Sequence, residues 1–113
     1  EIVKDSEQLL SHGKENQEIL EKNDLITAPH RFNIIYCLYD QGRMNWTDLK
    51  NKLNLTSGNL DYHLSVLQKK GWIIKDEEYQ DRMLQFIDIS DYGRREFKTF
   101  TEKISHICHQ VIE

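Results

Sequence analysis

The stretch Asn45–Trp72 constrains the fold most, because it holds two short amphipathic helical patterns with a tight turn between them. The first pattern covers Trp46–Leu53, with Asn45 as its capping residue. The second covers Thr56–Lys70, with Thr56 as the cap and Gly71 as a left-handed stop. A helix, a short turn and a second helix form a helix-turn-helix arrangement, whose second helix can enter a major groove.

The second helical pattern separates an apolar stripe from a polar face. Leu60, Leu64 and Leu67 are spaced four and three residues apart, so they lie on one side of the helix. The opposite side and its flank carry small, polar and aromatic side chains: Gly58, Asn59, Tyr62, His63, Ser65 and Lys69. Such a face suits a helix that lies against base edges and phosphates. An ordinary amphipathic helix with a solvated face is the alternative that this stretch alone leaves open.

The residues after this helix predict a β-hairpin. Trp72–Lys75 is a short apolar strand, Asp76–Asp81 is a polar turn, and Arg82–Ile89 is a second strand that alternates from Leu84 onwards. Arg43–Asn45 predicts a short third strand that pairs with this hairpin. A recognition helix followed by a hairpin is a winged helix, so the expected fold is mainly α with a small β-hairpin.

Five short runs stand in a telling order between residues 45 and 73: Asn45-Trp46-Thr47-Asp48-Leu49, Leu55-Thr56-Ser57-Gly58-Asn59-Leu60, His63-Leu64, Leu67 and Gly71-Trp72-Ile73. They resemble the winged helix-turn-helix transcriptional regulators of the MarR and ArsR type, over about Ala28 to Phe97. The resemblance implies a transcription regulator that binds double-stranded DNA. In MarR-like proteins a small-molecule effector usually binds between the dimer helix and the DNA-binding lobe, and nothing in this sequence identifies one.

The net charge of −4 disfavours DNA binding, but the basic residues are unevenly distributed. Arg43–Lys75 contains six basic and two acidic side chains, a net charge of +4, which leaves −8 for the rest of the chain. One of the two acidic residues, Asp61, is expected to face away from DNA. The predicted wing tip is a departure from the family pattern, because Asp76–Arg82 carries a net charge of −3. Either Arg82 alone reaches the DNA backbone or the wing adds little affinity.

The candidate DNA contacts lie mostly on the second helix. Backbone N–H groups of Ser57, Gly58 and Asn59 form its positive end and can meet a phosphate. The Asn59 amide can pair with adenine, and Tyr62 and His63 can donate to a phosphate. For His63, a flanking position with a bond to the backbone is equally open. Contacts to phosphate that fix position rather than sequence are expected from Lys50, Lys52, Lys69 and Arg82.

The flanking segments divide the chain into three parts. Residues 1–26 are expected to form an N-terminal helix that is partly associated with a partner subunit, and residues 27–90 the winged helix DNA-binding domain. Within that domain, His30–Asp40 is apolar over much of its girth and predicts the buried central helix, with Thr27 as the cap and Pro29 in the first turn. Residues 91–113 are expected to form a C-terminal dimerisation helix.

This last helix, capped by Ser90, carries apolar residues spaced alternately three and four apart: Phe97, Phe100, Ile104, Ile107 and Val111. Because the winged helix residues already supply a core, this seam needs another surface to bury it. A two-fold partner is the simplest source. A homodimer would place two recognition helices on a palindromic operator. Packing of the seam onto its own domain is the alternative.

Other functional classes are less well supported. There is no phosphate-binding loop and no nucleophile elbow, so neither an enzyme nor a cofactor is expected. His106, Cys108 and His109 near the C-terminus are the candidate ligands of an ArsR-like metal sensor, but the Asp-x-His pair of that family is absent from residues 97–102. No apolar run approaches a membrane span. Both cysteines, Cys37 and Cys108, are expected to be buried thiols in a reducing cytoplasm.

A winged helix used only for protein contact, without DNA binding, is the alternative from a different class. The acidic wing favours it. The small polar face of the recognition helix opposes it, because protein-binding faces usually offer large apolar anchors. Salt dependence separates the two, since binding through several phosphates weakens steeply with ionic strength.

Overall fold

A computed structural model describes residues 24–112 of the chain. The expected N-terminal helix therefore lies almost wholly outside the described residues. The elements, in chain order, are α1 Asp24–Thr27, α2 Pro29–Gln41, β1 Met44–Asn45, α3 Trp46–Leu53, α4 Ser57–Lys69, β2 Ile73–Tyr79, β3 Met83–Ile89 and α5 Asp91–Ile112. This mainly helical chain with a small antiparallel sheet confirms the predicted fold class. No helix within residues 24–112 combines the length and apolar character that a membrane span requires.

Local capping explains why α3 and α4 begin and end where they do. The Asn45 side chain accepts a hydrogen bond of 2.8 Å from the backbone N–H two residues later. Thr56 Oγ1 accepts one of 3.1 Å from the Asn59 N–H. Asn54, between the helices, has a left-handed backbone with φ of 53°, and Gly71 ends the second helix with φ of 80°. The predicted helix-turn-helix is confirmed, with α3 starting and ending at the predicted residues.

The sheet has the strand order β1-β3-β2, and both pairings are antiparallel. The predicted third strand is confirmed, because Met44 pairs with Ile87. The predicted polar turn over Asp76–Asp81 is wrong in its extent: the ladder continues to the pair Tyr79 and Met83. Acidic residues are tolerated in this strand because the outer part of the hairpin is exposed to solvent on both faces.

The core lies between α2, the helix-turn-helix and the inner face of the sheet. Its fully buried members, with relative exposure of 0%, are Ile26, Ile34, Ile35, Leu38, Leu49, Leu60, Leu64, Leu67 and Ile87. The predicted central helix is confirmed, with Pro29 in its first turn. The predicted cap is wrong, because Ala28 occupies the cap position without a side-chain bond. Thr27 instead ends α1.

Helix α5 begins on the backbone that links α4 to β2. Ser90 Oγ accepts a 2.9 Å hydrogen bond from the Gly93 N–H, and the Ser90 N–H donates to the Trp72 carbonyl at 2.9 Å. The predicted Ser90 cap is therefore confirmed. About two turns after Ser90, the Phe97 ring lies 5.5 Å from the Phe32 ring and 5.2 Å from the Tyr39 ring, centroid to centroid. These contacts dock α5 on α2.

The apolar seam of α5 was expected to need a surface outside its own domain, and this docking shows that expectation to be wrong for most of the seam. Phe97, Phe100 and Ile107 are less than a tenth exposed within a single chain, so they already have a covering surface. Ile104 is only partly buried against the core, and the side chain of Val111 lies outside the described set. A dimer interface on α5 stays a prediction.

The prediction for Cys108 is wrong, because its side chain is exposed, whereas Cys37 is buried as expected.

Candidate nucleic-acid interface

The polar face of α4 is open to solvent. Its leucine stripe is fully buried, which turns the other side of the helix outwards. Tyr62 has 61% of its surface exposed despite its size. The other predicted contacts on this face are also exposed: Ser57, Gly58, Asn59 and Lys69. A Cβ added at Gly58 would meet nothing within 4 Å, so a flat surface can approach the first turn of the helix.

His63 lies on the flank of α4 that faces α2. Its Nδ1 is 3.4 Å from Arg31 Nη1, and its ring centroid is 5.4 Å from that of His30. A guanidinium can only donate, so Nδ1 accepts, and the imidazole is neutral with its proton on Nε2. Burial lowers the pKa of His63, and the charges of Arg31 and His30 lower it further. The partner of His63 is therefore the beginning of α2, rather than the backbone.

Sequence reasoning did not include His30 and Arg31 among the functional residues. They belong to the pattern of the central helix, and only the crossing of α2 and α4 brings them to the recognition helix. Arg31 is itself fixed, because its Nε donates to the Leu25 carbonyl oxygen of α1 at 2.5 Å. The signal available in the sequence was a basic pair in a first turn that has no acidic residue.

The opposite flank of α4 is tied to α3. Trp46 Nε1 donates a 2.9 Å hydrogen bond to Asp61 Oδ1. The Lys50 ammonium lies 5.9 Å from the centre of the Trp46 indole, so a positive charge stands beside this hydrogen bond. Asp61 is thus turned towards α3, and its charge is used within the protein.

The two lysines of α3 point in different directions. Lys50 is beside Trp46, on the side of the recognition helix. Lys52 follows two residues later, about 200° around the helix axis, so it lies on a different side of α3. Burial raises the pKa of the Cys37 thiol on α2, and the charge of Lys52 opposes that rise. The structure therefore brings Lys50, but not Lys52, to the edge of the α4 surface.

The negative charge of the wing is partly neutralised by Arg43, which is one of the six basic residues counted in Arg43–Lys75. Arg43 Nη2 lies 3.0 Å from Asp76 Oδ1 and 3.2 Å from Glu78 Oε2. Its guanidinium is also stacked 3.8 Å from the centre of the Phe86 ring. The hydrogen bond to Asp76 is the main cause that raises the pKa of Arg43. Arg82 is exposed at the hairpin turn, where the Gln80 N–H donates to its carbonyl oxygen at 3.0 Å.

The candidate metal ligands do not form a recognisable site in the described part of the chain. His106, Cys108 and His109 are exposed on α5. Within residues 24–112, no group of three or more His, Cys, Asp or Glu side chains is placed to hold a metal ion.

Comparison with known proteins identifies a family and several relatives that this chain resembles in sequence. A family model described as a winged helix DNA-binding domain matches residues 30–108. An uncharacterised protein of Methanocaldococcus jannaschii is 33% identical over 82 residues, which cover 72% of this chain and 89% of that protein. The uncharacterised HTH-type transcriptional regulator YkoM of Bacillus subtilis is 25% identical over 65 residues, covering 58% of this chain and 42% of YkoM.

Solved structures agree with these sequence matches. The transcriptional regulator homologue from Pyrococcus horikoshii OT3 superposes with a TM-score of 0.81 at 28% sequence identity. The match covers 87% of this chain and 97% of that one. Winged helix topology and its helix-turn-helix are therefore common to this chain and to a protein described as a regulator.

Proposed function

The chain belongs to the winged helix DNA-binding domain family of transcriptional regulators, and on this premise we propose that it binds a specific, palindromic DNA operator as a homodimer. The observation that carries the proposal is the open polar face of α4. Tyr62, Asn59 and Gly58 stand there on a helix whose ends are capped and whose other side is fully buried. A rigid helix with an exposed polar face has the form that major-groove contact requires.

Each side chain on this face has a distinct proposed role. Asn59 contacts a base edge, because a carboxamide can donate to and accept from adenine together. Tyr62 contacts a phosphate or a thymine methyl group. Lys69 and Lys50 contact phosphates at the two edges of the face and set the position of the helix rather than its sequence preference.

A protein-binding role without DNA is the second candidate, and the wing supports it. Tyr79 and Met83 are cross-strand neighbours that are 71% and 58% exposed. They form an apolar pair at the end of an acidic hairpin. Exposed apolar side chains of this kind are typical of protein contacts. No metal-sensing function is proposed, and no small-molecule effector is assigned.

The test is a fluorescence anisotropy titration with the DNA upstream of the protein's own gene, against a scrambled duplex of the same composition. Both duplexes are measured at low and at physiological salt. Regulator function predicts tighter binding to the upstream DNA, and affinity that falls steeply as salt is raised. Absence of binding at low salt would overturn the proposal and favour the protein-binding role of the wing.

Three variants on α4 and one matched control make the titration specific. Asn59→Ala and Tyr62→Ala are expected to weaken binding to the upstream DNA by about tenfold or more, the effect of losing one good contact. Gly58→Ala is expected to weaken binding while the protein stays at least as stable, because alanine favours a helix and its methyl group points into open space. Tyr92→Ala is the control, since Tyr92 is an exposed tyrosine on α5.

A further inference from the structure

The flank of α4 that faces α2 carries three nitrogen-rich side chains from two helices. His63 Nδ1 lies 3.4 Å from Arg31 Nη1, and the His63 and His30 rings are 5.4 Å apart. Arg31 cannot swing away freely, because it also donates to the backbone of Leu25. The first turn of α2 contains no acidic residue. These residues therefore form a fixed basic cluster, which is named here the α2–α4 cluster and consists of His30, Arg31 and His63.

The cluster adjoins the proposed DNA surface. His63 follows Asn59 by one helical turn on the same flank of α4, and its ring is 5.1 Å from the ring of Tyr62. His30 is exposed and His63 is half-buried, so both rings can be reached from solvent. The flank is therefore close enough to the Asn59 and Tyr62 side chains for one DNA duplex to contact both.

Resting on the proposed function, we propose that the α2–α4 cluster binds a backbone phosphate of DNA and takes up a proton when it does so. Arg31 supplies a permanent positive charge. The Nε2–H group of His63 donates to the phosphate, and His30 adds a second donor from the other helix. The contact fixes the position of α4 along the groove and does not depend on base sequence.

Proton uptake follows from the charges in the cluster. In the free protein, burial and the positive charges of Arg31 and His30 disfavour protonation of His63, so its pKa is lowered. Arg31 and His30 are the charged groups that act on His63 among residues 24–112, and both are on α2. A bound phosphate offsets their repulsion and raises the pKa of His63. The added proton goes to Nδ1, so Arg31 Nη1 gives up its 3.4 Å contact with that atom and donates to the phosphate instead, while its Nε stays on the Leu25 carbonyl oxygen. Affinity therefore increases as the pH falls from above the pKa in the complex towards the pKa in the free protein.

The experiment measures affinity against pH on a duplex of scrambled sequence at constant low salt, because a phosphate contact does not require the operator. The variants are His63→Gln and His30→Gln; in the first, glutamine keeps an acceptor for Arg31. The control is His109→Gln, which removes an exposed histidine from α5. Wild type and control are expected to bind more weakly as the pH rises through about 6 to 7.5, by up to about tenfold per pH unit for each proton taken up. Both cluster variants are expected to bind the duplex more weakly than wild type at the low end of this pH range. Their affinity is also expected to change less with pH.

Nuclear magnetic resonance titration of the histidine rings gives an independent readout. The pKa of His63 is expected to rise on addition of the duplex. Addition of inorganic phosphate at the same ionic strength distinguishes a general anion site, which would produce the same shift without DNA and would overturn the assignment to the DNA backbone.

Two further outcomes have different meanings. DNA binding with the same pH response in His63→Gln as in wild type would overturn the cluster as a phosphate site, while the proposed function would stand. Failure of wild type to bind any duplex at any pH would overturn the proposed function and this inference together. Melting temperatures of the variants show that a loss of binding is not a loss of folding.

Discussion

Gly93 lies where the first turn of α5 crosses the backbone of Trp72. A Cβ at this position would be 2.3 Å from the Trp72 carbonyl oxygen, a distance that non-bonded atoms do not adopt. The obstacle is backbone, so it cannot rotate away. Gly93→Ala is expected to lower the free energy of unfolding by about 1–3 kcal/mol, measured by urea denaturation. Gly58→Ala, in open space, is the matched substitution; equal stabilities of the two variants would contradict the proposed crossing.

The lowered pKa of His63 also predicts how the stability of the fold changes with pH. Its pKa is lowered in the folded chain, so the unfolded chain binds more protons near and below pH 6.5. The contribution of neutral His63 is therefore complete above that pH and is lost as the pH falls below it. The melting temperature is expected to decrease on acidification from about pH 7.5 to 5.5. The melting temperature of His63→Gln is expected to decrease less over the same pH range. An identical decrease in wild type and variant would exclude His63 as the cause.

The pH responses of folding and of DNA binding have opposite signs. Acidification weakens the free fold at His63, whereas it strengthens the proposed phosphate contact at the same residue. A general effect of pH on the protein would change both in the same direction. Measuring the two on the same samples therefore separates the phosphate contact from partial unfolding.

Residue-level predictions from sequence were most accurate where the interaction is local. Asn45, Thr56 and Ser90 were identified as caps because a cap bonds to a backbone group only two or three residues away. The side-chain partners of Arg43 and Arg31 were not predicted, because they lie 33 residues away on the hairpin and 32 residues away on α4. Charge counted along a sequence does not show which charges neutralise each other.

At the scale of elements, a side-chain hydrogen bond from Trp46 to Asp61 links α3 to α4 beside their shared apolar core. Trp46→Phe keeps the aromatic ring and removes the donor. It is expected to lower the free energy of unfolding by about 0.5–1.5 kcal/mol, the range for one hydrogen bond. It is also expected to weaken DNA binding, because the Asp61 carboxylate is released beside the proposed DNA surface.

A double variant distinguishes these two consequences. Asp61→Asn added to Trp46→Phe removes the released charge and is expected to recover part of the DNA affinity, but not the stability. Anisotropy titration and thermal melting of the four proteins in the cycle measure both effects. If Asp61→Asn recovers no affinity, the loss in Trp46→Phe comes from movement of α4 rather than from charge.

The wing offers a separate test of its contact with DNA. Asp81 and Arg82 are adjacent, exposed and opposite in charge at the hairpin turn. A wing that contacts phosphate predicts that Asp81→Asn strengthens binding at low salt and that Arg82→Gln weakens it, by similar factors of a few-fold. A wing remote from DNA predicts no change in either variant. The test is informative because Arg43 already neutralises part of the charge on the hairpin further back.

The elements themselves were largely predictable, and the lengths of the hairpin strands were less so. Apolar periodicity identified α3, α4 and both wing strands, because each buries a face with a regular repeat. The hairpin extends to Tyr79 and Met83 because residues of one strand find partners in the other, whatever their own polarity. The acidic run was therefore taken for a turn when it is the end of a strand.

At the scale of the whole molecule, the division of α5 between its own core and a partner could not be predicted from spacing. Apolar residues spaced alternately three and four apart give the same sequence pattern whether the helix packs on its own chain or on a second copy. In the structure, Phe97 packs among the rings of α2, which is an intramolecular role. Ile104 is the seam residue, among those with a described side chain, that keeps partial exposure. It is therefore the seam position at which a dimer can be tested with the least damage to the core.

The proposed homodimer predicts a specific response to charge on α5. Sedimentation equilibrium is expected to show a wild-type dimer, with a melting temperature that rises with protein concentration because association stabilises the folded state. Ile104→Glu would bury an unpaired carboxylate in the interface and is expected to raise the dimer dissociation constant by about tenfold or more, equal to about 1.4 kcal/mol. Ser105→Glu adds the same charge at an exposed neighbouring position and is expected to have little effect.

The outcome of this comparison decides how the protein can bind a palindromic site. If Ile104→Glu alone produces monomers, binding to a two-half-site duplex is expected to weaken far more than binding to a single half-site, because two weak contacts no longer act together. If Ser105→Glu is the disruptive change, the interface lies on another face of α5. A wild-type monomer would remove the basis for a palindrome, and each recognition helix would then have to bind its site alone.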